Sequence, residues 1–123
     1  MRESLTILVV DDNPSLAKSQ ADILGAKGFE ALAAHSGAEA LEILQNRHVD
    51  ILLTDVIMPG MDGVALYRAT RKTHPKLVTI LMTAYAADDL IQQGLAEGIK
   101  TVLTKPLDND FLVILLSAYK RIL

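Results

Sequence analysis

The sequence predicts an α/β fold in which helices cover both faces of a doubly wound parallel sheet. Short apolar segments alternate with longer segments of helical periodicity, and this pair recurs five times along the chain. The apolar segments have almost no polar alternation, as expected for strands that are buried on both faces of a parallel sheet. Four of them end at acidic, hydroxyl or basic side chains, at the strand ends where such sheets bind ligands. These observations together predict a ligand-binding α/β domain.

Length and composition indicate one globular domain that spans residues 1–123. The chain is 50% hydrophobic and 22% charged, so it is neither disordered nor membrane-like. A net charge of −3, without a cluster of Lys and Arg, argues against direct nucleic-acid binding. The absence of cysteine excludes disulfides and cysteine-ligated metals. The sequence has neither a signal peptide nor an apolar segment long enough to span a membrane, so we expect a cytoplasmic protein without a membrane partner.

The first strand and the first helix are predicted over residues 5–28. Residues 5–10 are aliphatic and β-branched, which suits a buried strand. Asn13 followed by Pro14 is typical of a helix start, because asparagine caps the first turn and proline fits its first position. Apolar residues then recur at near-helical spacing up to Gly25 and Gly28, where we expect the helix to end.

The other elements follow in the same alternation. The later strands are predicted over residues 29–34, 50–54, 77–82 and 101–104. The helices after them are predicted over residues 37–44, 64–72, 87–97 and 108–122. Ser36 and Glu39 form a capping box at the start of the second helix. Pro59 and Gly60 mark the loop before the third helix, and Gly98 closes the fourth.

Polar side chains at four strand ends predict a metal and phosphoryl site. They are Asp11, Asp12, Asp55, Thr83 and Lys105. Two carboxylates 4 Å apart repel by about 4 kcal/mol at an effective dielectric constant near 20, and one lysine does not neutralise three acids. An all-oxygen site of this kind suits Mg²⁺, while a threonine and a lysine suit phosphoryl oxygens. Taken singly, each residue would more often be a cap, a turn residue or a solvated charge, so the prediction depends on their joint placement.

Four motifs give the chain a specific resemblance to the receiver domains of two-component response regulators. They are VVDDN (9–13), LLTDVIMPGMDG (52–63), LMTAYA (81–86) and LTKP (103–106), and the resemblance covers essentially the whole chain. It implies a flavodoxin-like five-stranded sheet with the strand order 2-1-3-4-5. It also implies a phosphoacceptor domain that catalyses only its own phosphotransfer and dephosphorylation, rather than an enzyme.

The resemblance assigns the phosphoacceptor and the metal ligands by position. Asp55 resembles the aspartate that takes a phosphoryl group from the phosphohistidine of a sensor histidine kinase or a phosphotransfer protein. Asp12 and Asp55 would bind Mg²⁺ directly, together with the backbone carbonyl of Ile57. Asp11 would act largely through water.

The resemblance also implies how phosphorylation changes the domain. Thr83 and Lys105 would hold the phosphoryl oxygens, and a cis peptide is expected between Lys105 and Pro106. Movement of Thr83 toward the phosphoryl group would shift the loop and the helix after the fourth strand, and so change the C-terminal helix-strand-helix face. The family commonly carries a switching Tyr or Phe three residues before the lysine, but this chain has Val102 there.

Two bulky residues predict a long-lived phosphoryl group. Ile57 and Tyr85 lie two residues after Asp55 and Thr83, at positions that flank the path of attacking water in this family. Because neither side chain is an acid or an amide, we expect slow autodephosphorylation. The alternative is that the two side chains simply pack against each other.

The last predicted helix is more apolar than a single core-facing stripe requires. A first stripe, expected to face the sheet, contains Leu112, Leu116, Tyr119 and Leu123. A second stripe contains Phe111, Leu115, Ala118 and Ile122, with Ile114 beside it. An exposed apolar surface of this kind favours a homodimer or the seat of an output domain missing from this chain, although a wide core-facing stripe would give the same pattern.

Other functions share parts of this pattern. A phosphatase of the haloacid dehalogenase type would need a second Asp two positions after Asp55, where the chain has Ile57. A flavodoxin-like cofactor binder would need a phosphate-binding loop after the first strand, where Asp11 and Asp12 would repel a phosphate. A receiver-like domain that only docks proteins is a third possibility, which the intact acidic site disfavours. The chain is either a stand-alone receiver or part of a larger regulator or hybrid kinase.

Overall fold

The fold is the predicted α/β sheet with helices on both faces. The computed structural model describes residues 4–84 and 88–121. Five parallel strands lie in the order β2-β1-β3-β4-β5, as the resemblance implies. The strands are β1 (Thr6–Val10), β2 (Glu30–Ala34), β3 (Ile51–Asp55), β4 (Val78–Thr83) and β5 (Thr101–Thr104). The helices are α1 (Pro14–Ala26), α2 (Gly37–Asn46), α3 (Gly63–Thr70), α4 (Asp89–Glu97) and α5 (Asn109–Tyr119).

Helices cover the sheet in two layers because its strands are apolar on both faces. Helices α1 and α5 pack on one face, where Leu24 and Leu112 join a buried cluster with β1, β3 and β4. Helices α2, α3 and α4 pack on the other face, where Leu44, Leu66 and Ile91 are buried. No helix in the described part of the chain is long and apolar enough to cross a membrane.

The predicted helix caps form as the sequence indicates. The Asn13 side chain accepts hydrogen bonds from the backbone N–H groups of Ser15 (3.0 Å) and Leu16 (3.3 Å). At α2, the Ser36 hydroxyl accepts the N–H of Glu39 at 3.1 Å, and Gly98 closes α4 with a positive φ of 126°. These local signals therefore set where the helices begin and end.

Several helix bounds differ from the prediction, most clearly those of α3, α4 and α5. Helix α3 covers Gly63–Thr70 rather than residues 64–72, because the Thr70 hydroxyl donates to the Tyr67 carbonyl at 2.8 Å and the chain then turns. Helix α4 begins at Asp89, with Asp88 as its cap, and Ala87 lies outside the described residues. Helix α5 ends at Tyr119 rather than at residue 122. Ile122 and Leu123 lie outside the described residues.

Candidate functional site

The carboxyl edge of the sheet brings all six predicted site residues around one cavity of about 250 Å³. They are Asp11, Asp12, Asp55, Ile57, Thr83 and Lys105. The strand register explains this convergence, because Val10 pairs with Thr54, Asp55 with Met82 and Thr83 with Thr104. Residues far apart in sequence therefore end at the same level of the sheet.

Lys105 lies between two of the carboxylates. Its Nζ is 2.5 Å from Asp55 Oδ1 and 3.2 Å from Asp11 Oδ2. Its backbone N–H donates to the Thr83 carbonyl at 2.8 Å, which fixes the exit of β5 beside β4. The Lys105–Pro106 peptide is cis, as the resemblance implies. Lys105 thus crosses the sheet edge from β5 to reach the ends of β1 and β3.

The three carboxylates form a compact acidic cluster. Asp11, Asp12 and Asp55 each offer an oxygen within 4.8 Å of the others, and Asp12 is the exposed member. Asp11 is oriented from two sides, because Oδ1 accepts the backbone N–H of Asn13 at 3.0 Å while Oδ2 faces Lys105. The donor set contains only oxygen and has more acids than its one lysine neutralises. Both properties fit Mg²⁺.

The backbone at Asp55 is held by two neighbours that the sequence prediction did not assign to the site. The Thr54 hydroxyl donates to the Asp55 carbonyl at 3.0 Å. A Cβ added at Gly63 would lie 2.2 Å from the same carbonyl oxygen, so only glycine allows α3 to approach β3 this closely. The Gly63 N–H also donates to the Val56 carbonyl at 2.8 Å. The sequence signal for this contact is the Asp62-Gly63 pair at the start of α3.

Burial and charge shift the proton affinity of the site. Burial and the neighbouring Asp11 together raise the pKa of Asp55 to about 6, although the Lys105 hydrogen bond opposes the shift. Burial acts to lower the pKa of Lys105, but its hydrogen bond to Asp55 and the charges of both acids raise that pKa above its usual value. Lys105 therefore stays charged at neutral pH, when most Asp55 carboxylates are ionised.

The remaining predicted residues differ in accessibility. Thr83 is buried at the end of β4, while the Ile57 side chain is 63% exposed beside the cavity. Val102 is half-buried and packs against the apolar cluster that contains Leu81 and Ile91. Tyr85, the proposed partner of Ile57, lies outside the described residues.

The raised pKa of Asp55 predicts a pH-dependent stability of the metal-free protein. A carboxyl group whose folded pKa is raised stabilises the fold below its ordinary pKa, and this contribution is lost as the pH rises through about 6. We therefore expect Asp55→Asn to increase the free energy of unfolding by about 2 kcal/mol at pH 7.5 and to change it little at pH 4. Urea denaturation in the presence of a chelator measures this difference. Glu42→Gln, at an exposed position on α2, removes one charge far from the cluster and serves as the matched control.

Comparison with known proteins identifies related sequences. Residues 7–117 match the family model described as "Response regulator receiver domain". The sensor histidine kinase RcsC of Escherichia coli is 38% identical over 117 residues, which cover 95% of this chain and 12% of that protein. The transcriptional regulatory protein GlrR of E. coli K12 is 35% identical over 106 residues, which cover 86% of this chain and 24% of that protein. The chain thus spans a small part of the length of these two relatives.

Solved structures of similar chains share the whole fold. A receiver domain from Francisella response regulator 1452 has a TM-score of 0.87 at 29% identity, and the match covers 98% of this chain and 100% of that chain. The chemotaxis protein CheY4 of Vibrio cholerae has a TM-score of 0.85 at 29% identity, with 98% and 99% covered. Both structural matches extend over nearly the whole chain.

Proposed function

This chain belongs to the response regulator receiver domain family, and from that premise we propose that it accepts a phosphoryl group on Asp55. The donor is the phosphohistidine of a sensor histidine kinase or of a phosphotransfer protein. The observation that supports this assignment best is the position of Lys105, whose Nζ contacts both Asp55 and Asp11 within the three-carboxylate cluster. On this proposal, residues 1–123 form one receiver domain. Its location is the cytoplasm, where it meets the phosphohistidine of the kinase.

The transfer depends mainly on placement and charge. Asp55 attacks the phosphorus atom of the phosphohistidine, the P–N bond breaks and the imidazole leaves with that electron pair. A carboxylate is a weak nucleophile, so alignment by the end of β3 and neutralisation by Lys105 supply most of the rate. Mg²⁺, held by Asp12, Asp55 and the Ile57 carbonyl with Asp11 acting through water, would neutralise charge on the transferring group. The domain acts on its own carboxylate and is therefore not an enzyme toward other substrates.

The aspartyl phosphate changes the charge at the end of β3. It adds roughly −1.5 to −2 charge and new acceptor oxygens, toward which the Thr83 hydroxyl and Lys105 turn. Five residues separate Thr83 from the start of α4 in the sequence, so we expect this movement to shift the start of that helix. Val102 is smaller than the family's usual aromatic residue, so its repacking contributes less to the response. The α4-β5-α5 face then transmits the signal to an output domain or another partner.

Mg²⁺-dependent labelling by acetyl phosphate tests the proposed function. The purified chain should gain one phosphoryl group per molecule when both Mg²⁺ and the donor are present, and a chelator should prevent the gain. Intact-protein mass spectrometry measures the added mass. A folded chain that takes up no phosphoryl group under these conditions would instead be a domain that only docks other proteins.

The exposed Ile57 side chain predicts slow autodephosphorylation. We expect Ile57→Asn together with Tyr85→Glu to shorten the phosphoryl half-life by about tenfold, which corresponds to roughly 1.4 kcal/mol of activation free energy. The polar side chains would orient the attacking water where the bulky ones exclude it. Decay of the labelled protein after donor removal gives the half-life. Ile23→Asn, at an exposed apolar position on α1, is the control, and an unchanged half-life in the double variant would contradict the prediction.

Helix α5 presents an apolar surface that we propose as a pairing surface. Leu112 and Leu116 are buried against the sheet as predicted, while Phe111 and Ile114 are 53% and 69% exposed. Leu115 differs from its predicted position on the second stripe, because it is half-buried and packs against the core. Ile122, the other proposed contact residue, lies outside the described residues.

This surface should support weak self-association. Burial of two such side chains per partner contributes roughly 1.5–3 kcal/mol each, which suits association at micromolar concentrations after the costs of binding. Sedimentation equilibrium with and without a phosphoryl mimic should show a dimer that Ile114→Glu disrupts. Ile114 is the test position because a charge at the half-buried Leu115 would also disturb the core. A monomer at all concentrations in both states would exclude the pairing.

A further inference from the structure

The C-terminal end of α4 is tied to α3 by an ion-pair network. Arg68 donates to Glu97 through both Nε (2.9 Å to Oε1) and Nη2 (2.6 Å to Oε2). Arg71 Nη1 donates to Oε1 of the same carboxylate at 2.8 Å. Each ion pair is partly exposed and weak by itself, but two arginines on one carboxylate fix its position. The Glu97 carboxylate therefore joins the end of α4 to α3 through two ion pairs.

Close packing at the same end reinforces these ion pairs. The Tyr67 hydroxyl donates to the Glu97 backbone carbonyl at 2.7 Å. A Cβ at Gly98 would lie 2.5 Å from that hydroxyl oxygen, and a Cβ at Gly94 would lie 2.6 Å from Ile99 Cδ1. The two glycines thus let the last turn of α4 lie directly on its neighbours.

The N-terminal end of α4 is held differently. Among residues 88–92, the polar contacts that the structure records stay within the helix, and the Asp88 side chain accepts the N–H of Leu90 at 2.8 Å. Ile91 is buried in an apolar cluster, and Leu90 packs against the same cluster. Asp89 is exposed, and the chain before it leads back to Thr83 at the candidate phosphoryl site. One end of α4 is therefore connected to the site by the chain, and the other is attached to α3.

We propose that Arg68, Arg71 and Tyr67 hold Glu97 as a pivot, so that phosphorylation swings the N-terminal end of α4 while its C-terminal end stays on α3. We call these four residues the Glu97 clamp. The trigger rests on the proposed function, whereas the attachment rests on the contacts alone. Because the clamp restricts α4 to rotation about one end, a small displacement near Thr83 becomes a change in the tilt of the helix face. This connection does not require an aromatic residue at Val102.

Distance measurements between spin labels test the pivot. The chain has no cysteine, so labels can be placed at Asp89→Cys or Ala96→Cys, each paired with Ala26→Cys at the exposed end of α1. With Mg²⁺ and beryllofluoride as the phosphoryl mimic, the 26–89 distance should shift and the 26–96 distance should stay within its original distribution. Glu97→Gln should broaden the 26–96 distribution without the mimic and make it shift with the mimic.

Matched variants separate the clamp from general destabilisation. Arg68→Gln should reproduce the effect of Glu97→Gln, while Glu42→Gln on α2 should leave both distances unchanged. Three outcomes would each overturn the pivot. Without Glu97→Gln, the labels at residues 89 and 96 could shift equally, or the label at residue 89 could fail to shift with the mimic bound. Alternatively, Glu97→Gln could leave the 26–96 distribution unchanged. Fluorine NMR reports whether beryllofluoride binds. If beryllofluoride does not bind, the proposed function fails. The effect of Glu97→Gln on the 26–96 distribution without the mimic then still tests whether the Glu97 clamp holds α4.

Discussion

Asp55→Asn should abolish labelling by acetyl phosphate. The amide is neutral and is not a nucleophile, so no phosphoryl–oxygen bond forms at this position. Asp11 and Asp12 remain in place, but they follow β1. Asp55 is the acid of the cluster that ends β3, where its Oδ1 contacts Lys105. Intact-protein mass spectrometry should therefore show the unmodified mass at every donor concentration at which the parent chain is labelled.

A matched control makes this loss specific. Asp62→Asn also replaces a carboxylate near β3, but Asp62 caps α3 by accepting the N–H of Ala65 at 2.8 Å, and asparagine caps equally well. This variant should be labelled like the parent chain. Folding of Asp55→Asn can be verified by its urea transition, since the loss of a buried charge is expected to stabilise it at neutral pH. Labelling of a folded Asp55→Asn chain at another residue would refute the assignment.

Gly63→Ala should destabilise the fold by about 3 kcal/mol, because overpacked positions that cannot relax lose this much or more. The added methyl group would lie 2.2 Å from the Asp55 carbonyl oxygen, and backbone atoms on a central strand cannot move aside as a flexible side chain can. The φ of Gly63 is not in the left-handed region, so the contact alone causes the effect. The melting temperature should fall by roughly 10 °C. Labelling should also slow, because α3 and the end of β3 must separate.

The same substitution elsewhere provides the control. Gly25 lies in α1, and a Cβ there meets nothing within 4 Å. Gly25→Ala should therefore stabilise the fold by up to about 1 kcal/mol through helix propensity. Thermal unfolding followed by circular dichroism compares the two variants. If Gly63→Ala melts at the same temperature as the parent chain, the close approach of α3 to β3 is not required for stability.

The sequence was informative about the site because its residues follow apolar strands. Asp11, Asp55 and Lys105 each come at or just after the end of a strand, and parallel strands bring these ends to one edge of the sheet. In the structure, the predicted residues line one cavity, and Lys105 contacts both Asp11 and Asp55 there. Their chemical roles rest on the proposed function, which labelling by acetyl phosphate tests.

The sequence by itself determined the α/β class, the order of the elements and the caps of α1 and α2, because these depend on periodicity and on residues a few positions apart. Only the tertiary structure decided that Gly63 contacts the Asp55 carbonyl, that Glu97 is held from α3, and that Leu115 packs into the core. These contacts join elements distant in sequence, and they depend on how closely and at what angle two elements pack. A pattern of apolar and polar residues along one element specifies which face is buried, but not the neighbouring atoms that this face meets.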